Sequence, residues 1–330
     1  MVSGPGWLMI ISRTPLRASF CGGGTDIDQF SKSHQDGGKV VSLALDKYIY
    51  VIVNRRFDNK VRVSYSALEI VDDFENLSHE LVREAMRVTG VTSGVEITTI
   101  ADIPSRGTGL GSSSTVTVGL LNALHKFAGH DASPKQLAEE ACRIEIEVLG
   151  QPIGRQDQYA AAFGGINSIS FGTDGVTVKP LRVSCQSEIC EQFTLVFTGL
   201  SRSASDVLKE EPEDPEDKLS RMRKIRIQAD LAEEYLESCN LSDLGLLIGE
   251  AWEEKRGISS SVTRDEIDLL HQEIMSVGAS GAKLLGAGGG GFFLVHGTVS
   301  LRKDLNLLKR ANKLIPVGLD NKGSTIIYEG

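Results

Sequence analysis

Chemistry is most legible between Pro104 and Ser114, where the chain reads PSRGTGLGSSS. Gly107, Gly109 and Gly111 alternate with Thr108 and Leu110, and Ser112, Ser113 and Ser114 follow. Behind them Val116, Leu120 and Leu124 share one face of a helix running from Thr115 to Ala128. A glycine-rich loop entering a helix N-terminus suits an anion. Backbone N–H groups come close where no side chain intervenes, and the helix dipole favours negative charge. Helix starts usually gather acids that answer the dipole, yet Ser112 to Val118 holds none. The helix expected after Ser133 is different: Ser133, Pro134 and Gln136 supply an N-cap, an N1 proline and a capping-box residue, with Glu139 and Glu140 in the following turn. One helix is closed by its own side chains and the other is left open, which predicts a phosphate site. On loop composition alone, a flexible loop with ordinary serine capping is the alternative.

Glu145 adds a second clue. At about 100° per residue, a helix from Ser133 to Leu149 places Leu137, Ala141, Ile144 and Val148 in one stripe, widened by Ala138, Cys142, Ile146 and Leu149. Glu139, Glu140, Arg143 and Glu147 lie opposite, and Glu145 alone among the acids falls inside the apolar arc. A carboxylate is seldom buried unless it is paired or bound to a metal. A salt bridge to an arginine elsewhere is one reading. The other is Mg²⁺, which takes few carboxylates and keeps phosphate oxygens and water as its remaining ligands. Asp157 in GRQDQY, Asp26 after three glycines, and Arg17 are each ambiguous when taken singly.

These residues need elements to hold them. Apolar runs at Met9 to Ser12 and Leu16 to Cys21 precede Gly22-Gly23-Gly24, and Asp26 could cap a helix through Ser33. Lys39 to Asn54 is β-branched and aromatic enough for a strand or a strand pair, and Val61 to Tyr65 alternates as another. Helical spacing over Asn76 to Thr89 puts Leu77, Leu81, Ala85 and Val88 on one face, and Gly94 to Ala101 reads as the strand entering the glycine loop. Gly164 to Phe171 and Val176 to Leu181 form a hairpin turning at Thr173-Asp174-Gly175. Phe193 to Thr198 and Phe292 to His296 read as strands, and Lys218 to Ser238, Ser242 to Arg256 and Arg264 to Val277 as helices. The acidic run Glu210 to Asp217 suits an exposed loop.

Bulk properties narrow the classes. At 330 residues, two domains are the natural expectation, divided near residue 185. A net charge of −9 with no basic run argues against nucleic acid. There is no GxxxxGK[ST], so a P-loop is excluded. Gly286 to Gly291 satisfies GxGxxG, but FFLV follows as a strand where a dinucleotide fingerprint must open a helix. A structural tight turn accounts for it better. The histidines form no HExxH, and the five cysteines, sparse and without CxxC, read as small buried hydrophobes with no disulfide framework. No apolar run reaches membrane-spanning length and no leader pattern opens the chain, so the expected place is the cytoplasm.

Taken together the stretches resemble a known family. PLR (Pro15 to Arg17) continuing through GGGTD to Asp26 resembles the first motif of the GHMP kinases, PSRGTGLGSSS their second, and GAKLLGAGGGGFF their third, in the same order and spacing. Within that family RTPLRASFCGGGTD, DKYIYV and IGRQDQYAAAFGG most resemble the kinases of D-glycero-D-manno-heptose 7-phosphate. The resemblance implies an α+β fold of two domains: residues 1–185, like ribosomal S5 domain 2 and binding ATP and sugar, and residues 186–330, ferredoxin-like, with the active site between them. It implies an ATP- and Mg²⁺-dependent kinase of the anomeric hydroxyl of the heptose 7-phosphate, acting as monomer or homodimer on small molecules. By the same resemblance Gly107, Gly109, Leu110, Gly111, Ser112, Ser113 and Ser114 bind ATP, and Ser113 and Glu145 hold Mg²⁺, Glu145 by its five-residue offset to Gly150. Asp157 faces the reacting hydroxyl with Arg17 beside it, and Gly24, Thr25, Asp26 and Arg155 face the sugar. Arg13, Lys32 and Arg155 are candidates for a substrate phosphate. Ser114 stands where alanine is common in the family, Arg106 sits within the loop, and a triple glycine replaces the GEHTD of galactokinases, which counts against galactose. The alternatives are a kinase of fucose, galactose or an N-acetylhexosamine, or a GHMP-fold protein that binds without transferring phosphate.

Overall fold

A computed structural model describes residues 8–103, 107–201 and 214–330. Pro104 to Arg106, and the part of the acidic run before Asp214, lie outside the described residues.

Two sheets organise the chain. The first is built on β1 (Met9–Cys21) and β2 (Gly38–Arg55), antiparallel along almost their whole length. The apolar runs at Met9 and Leu16 are therefore one strand, and Lys39 to Asn54 is one strand too. What looked like a gap in β1 is a pair of register shifts, at Pro15/Arg17 and at Ser19/Cys21. Such bulges bend a strand and re-aim its side chains. Beyond β2 come β5 (Val95–Ala101), β3 (Val61–Ser64) and β4 (Leu68–Val71), with β3 parallel to β5. The other half of β2 pairs with the hairpin of β6 (Ile166–Gly172) and β7 (Gly175–Pro180). On the far side of β1 lies β12 (Thr325–Glu329), which returns from the opposite end of the sequence.

The second sheet orders its strands β11 (Lys313–Pro316), β8 (Phe193–Phe197), β10 (Phe292–His296), β9 (Gly281–Leu284), all antiparallel. With helices between β8 and β9 and between β10 and β11, this is the ferredoxin-like order. We keep the division near residue 185 as a proposal, with β12 crossing back over it.

Helices cover both sheets. Against the first pack α2 (Glu80–Thr89), α3 (Ser112–Phe127), α4 (Pro134–Cys142) and α5 (Gln156–Phe163), around Val51, Val53, Ile97, Leu120, Leu124, Leu137 and Ile144. Two long helices, α7 (Pro215–Glu237) and α8 (Leu241–Arg256), lie in the core shared by the two sheets, with Ala229, Ala232, Leu244 and Ile248 buried beside Leu16, Phe20, Leu43 and Leu195. Phe20 of β1 meets Phe193 of β8 edge to face at 5.4 Å, an arrangement worth about 1 kcal/mol beyond burial. The short helices α1 (Asp28–Ser31), α6 (Gln186–Gln192) and α10 (Leu301–Leu305), and α9 (Asp265–Ser276), complete the described set.

Three expectations change. Asp214 to Asp217 is no loop: Asp214 accepts from the N–H groups of Glu216 and Asp217, Pro215 takes the first helical position, and the acids answer the dipole of α7. Asp26 does not cap α1, whose N-cap is Ile27 without a side-chain bond. Cys185 and Cys239 are joined in a disulfide between the approaches to α6 and α8, 54 positions apart, a pairing that spacing alone could not show.

Candidate active site

Helix α3 begins at Gly111, whose φ of +75° only glycine adopts readily, with no side-chain cap and no acid in the first turn. It lies tightly on β1 and β2 because Gly119 faces them: a Cβ there would stand 3.0 Å from Thr14 Oγ1 and 3.1 Å from Val51 Cγ2. Ser12 of β1 donates to the Gly119 carbonyl at 2.8 Å. The open helix end is thereby fixed over the bulged part of β1.

The second glycine-rich stretch explains itself here. It is a turn, as expected, and it is pressed against the loop that precedes α3, backbone to backbone. A Cβ on Gly286 would come 2.5 Å from the Cα of Gly109, and one on Gly291 2.3 Å from the carbonyl oxygen of Thr108. Phe292 N–H donates to that same Thr108 carbonyl at 3.1 Å. Leu110 is fully buried in the shared core, so its side chain anchors the loop and only its main chain is left for a ligand. Ser112 lies within 3.2 Å of the Thr108 hydroxyl. Ser113 is exposed, and Ser114 is buried.

Under this loop Arg17 and Asp157 meet. Arg17, 3% exposed, places Nε 2.7 Å from Asp157 Oδ1 and donates from Nη1 to the Gly109 carbonyl at 2.5 Å, while its backbone N–H donates to Leu110. A Cβ on Gly111 would stand 3.2 Å from the Asp157 carboxyl and 3.3 Å from Arg17 Cγ. The open helix end, the cation and the carboxylate are thus in contact, drawn from β1, the loop and α5.

Glu145 is fully buried, as its place in the apolar arc predicts, but the helix carrying it is not regular. After Cys142 the backbone widens into a π-helical turn, Arg143–Val148, in which Leu149 N–H reaches back to Ile144. The wider turn shifts the phase by about one residue. Val148, expected in the buried stripe, is 53% exposed, while Glu145 is turned inward. Its Oε1 accepts from Ser113 Oγ at 3.0 Å and its Oε2 from Gln158 Nε2 at 2.6 Å. Burial pushes the carboxyl up to about 7; bonds from Gln158, Ser114 and Ser113 oppose this, and the charge of Asp157 adds to it. Gln158 was not singled out from sequence. It follows Asp157 by one helical position, so the two diverge, one to Arg17 and the other to Glu145.

The first glycine motif folds beside α5. Asp26 is buried and accepts from Gly24 N–H at 2.9 Å, from Gln156 N–H at 3.0 Å and from Gln156 Nε2 at 3.0 Å. Burial raises its pKa against these bonds. Thr25 is wholly buried, its hydroxyl bonded to Gly22 and Lys39. Both side chains fasten the loop. Arg155 pairs with Asp28 at 2.8 Å, two residues from Asp157. Lys32 pairs with Asp28 as well, and Arg13 stacks over Tyr48 at 4.4 Å. Only Arg155 of these three adjoins the helix that carries Asp157, as its N-cap residue.

Hard oxygen donors suit Mg²⁺. Here one buried carboxylate lies beside one hydroxyl at an open helix end, and among the described residues no group of three or more His, Cys, Asp or Glu could hold a metal alone. The donor set fits a cation completed by ligand phosphates. No described helix is long and apolar enough to cross a membrane.

Residues 76–165 match the GHMP kinases N terminal domain. The chain is 32% identical over 324 residues to the D-glycero-alpha-D-manno-heptose 7-phosphate kinase of Campylobacter jejuni, covering 92% of this chain and 93% of that protein. A solved structure of a putative sugar kinase from Campylobacter jejuni superposes with a TM-score of 0.78 at 27% identity, covering 97% of this chain and 98% of the other. A D-glycero-D-manno-heptose 1-phosphate kinase from Bacteriodes thetaiotaomicron gives 0.79 at 23% identity, over 96% and 97%, a likeness of fold.

Proposed function

Because the chain belongs to the GHMP kinases, a family of ATP-dependent kinases, we propose that it moves the γ-phosphoryl group of ATP to the anomeric hydroxyl of D-glycero-D-manno-heptose 7-phosphate, giving the 1,7-bisphosphate and ADP. The observation that carries this reading is the Arg17–Asp157 pair, 2.7 Å apart and in contact with Gly111 at the uncapped start of α3. Phosphoryl transfer needs positioning and charge stabilisation more than covalent help. The N–H groups from Gly107 to Ser114 receive the ATP phosphates. Asp157 accepts the hydrogen bond of the attacking hydroxyl and aligns it. Arg17, buried and held by Gly109, stabilises the charge spreading over the transferred group. Ser113 and Glu145 would hold Mg²⁺, which when bound neutralises phosphate charge. Arg155, two positions before Asp157, would meet the sugar's own phosphate.

The names of the relatives place the phosphate differently, on carbon 7 in one and carbon 1 in the other. The test is ADP release with the heptose 7-phosphate against galactose, fucose, mannose and N-acetylhexosamines, followed by phosphorus NMR of the product. A new anomeric phosphate is expected. Preference for an unphosphorylated sugar would overturn the substrate, and near wild-type turnover by Asp157→Asn would overturn the role of Asp157.

A further inference from the structure

Two buried lysines lie behind the site, and the reaction as described above does not use them. Lys283 on β9 is 4% exposed and donates to the carbonyls of Ser19 at 3.2 Å and Phe20 at 2.9 Å. Phe20 is the extra residue of the second β1 bulge, opposite nothing in β2. A bulged residue loses its ladder partner, so Lys283 donates to the carbonyl of Phe20 and to that of its neighbour Ser19, three and two residues beyond Arg17. Lys255 on α8 is 9% exposed and donates to the carbonyls of Leu284 at 2.8 Å and Gly286 at 2.5 Å. Gly286 is the residue packed on Gly109, whose carbonyl in turn holds Arg17.

Among the described residues neither ammonium is ion-paired with a carboxylate. Burying an unpaired charge is expensive, and burial accordingly lowers Lys255 well below the usual lysine range, with Lys283 and Arg17 adding to the fall. Lys283 is lowered to about 8, by burial first, with the Cys21 thiol opposing and Arg17 adding. Three basic side chains therefore share one dry layer under the phosphate loop, bonded mainly to backbone oxygens. An apolar side chain would pack there at less cost if filling space were the whole task. A polyanion arriving above this layer supplies the negative potential that the protein does not.

We propose that Lys255 and Lys283 are positioning residues for phosphoryl transfer, Lys283 fixing the strand that aims Arg17 and Lys255 fixing the glycine turn that backs the phosphate loop. The inference rests on the reading of Gly107 to Ser114 as the phosphate loop. Neither lysine reaches substrate; each acts through the backbone it holds.

The experiment uses the full chain with Lys255→Met, Lys283→Met, Lys255→Gln and Lys283→Gln. Methionine keeps bulk without a donor, and glutamine keeps a donor without charge. Calorimetric titration with ATP and with adenosine separates phosphate binding from base binding, and kcat is read beside the KM for ATP. ATP affinity is expected to fall about tenfold with adenosine unchanged, and kcat to fall by about tenfold to a hundredfold in the Lys283 variants as Arg17 shifts. Equal losses for ATP and adenosine, or no loss for either, would overturn the proposal. So would failure of all four variants to fold, since the lysines would then only hold the structure together. A wild type that bound ATP but ignored heptose phosphate would sink the proposed substrate and leave this comparison intact, because nucleotide binding alone is needed for it.

Discussion

Replacing Glu145 by Gln should make the empty protein more stable and nearly inactive at once. Burial lifts the carboxyl from 4.5 to about 7 in the folded state, so the folded chain binds this proton more tightly than the unfolded chain does. Stability from this group is complete below pH 4.5 and is lost as pH rises through about 7. At about 1.4 kcal/mol per unit, the ionised side chain costs about 3 kcal/mol at pH 8. Glutamine keeps the shape, still accepts from Gln158 and still meets Ser113, yet never ionises. Thermal melts of both proteins without divalent cation should coincide at about pH 4 and separate at about pH 8, the variant melting higher by on the order of 5 °C. Adding Mg²⁺ with ADP should raise the wild type far more than the variant, by mass action on a site that the variant lacks. Turnover should drop by at least about a hundredfold. A variant less stable than wild type at pH 8, or a difference flat across pH, would refute the reasoning.

Other perturbations test the frame around that site. Gly111→Ala forces a Cβ into the left-handed region and against the Asp157 carboxyl and Arg17, 3.2 and 3.3 Å away. A loss of about 1–2 kcal/mol in urea unfolding is expected, with kcat reduced about tenfold as the pair is pushed aside. Wild-type kcat would show that the pair tolerates displacement. Gly154→Ala places a Cβ 1.9 Å from Asp26 Oδ2, breaking the bond that secures Gln156 N–H at the start of α5. About 2–3 kcal/mol should be lost, with the KM for sugar raised more than that for ATP. Equal changes in both would mean that Asp26 steadies the whole cleft.

What the sequence revealed follows the range of the interactions involved. The open start of α3 was legible because capping is local, and the absence of acids in Ser112 to Val118 is visible without a fold. Glu145 was legible because a helical wheel needs only one helix, although the π-helical turn moved Val148 out of the stripe that the wheel assigned to it. Asp26 misled because its partner, Gln156, lies 130 positions away. The disulfide, the pairing of β12 with β1, and the two buried lysines likewise depend on contacts that no window of sequence contains. The described end of the acidic run, Asp214 to Asp217, misled for another reason. Six acids and two prolines resemble a loop, but Asp-Pro followed by acids is also how a helix begins.

The return of β12 has a consequence for how the protein is made. Ile10 pairs with Glu329 and Arg13 with Thr325, so one edge of the strand carrying Arg17 stays unsatisfied until a segment far along the chain has been made. A nascent chain holding the complete first sheet except β12 presents a long strand edge, the kind that pairs with neighbours. Closing that edge of the strand therefore waits for β12, which is made long after the strand it completes.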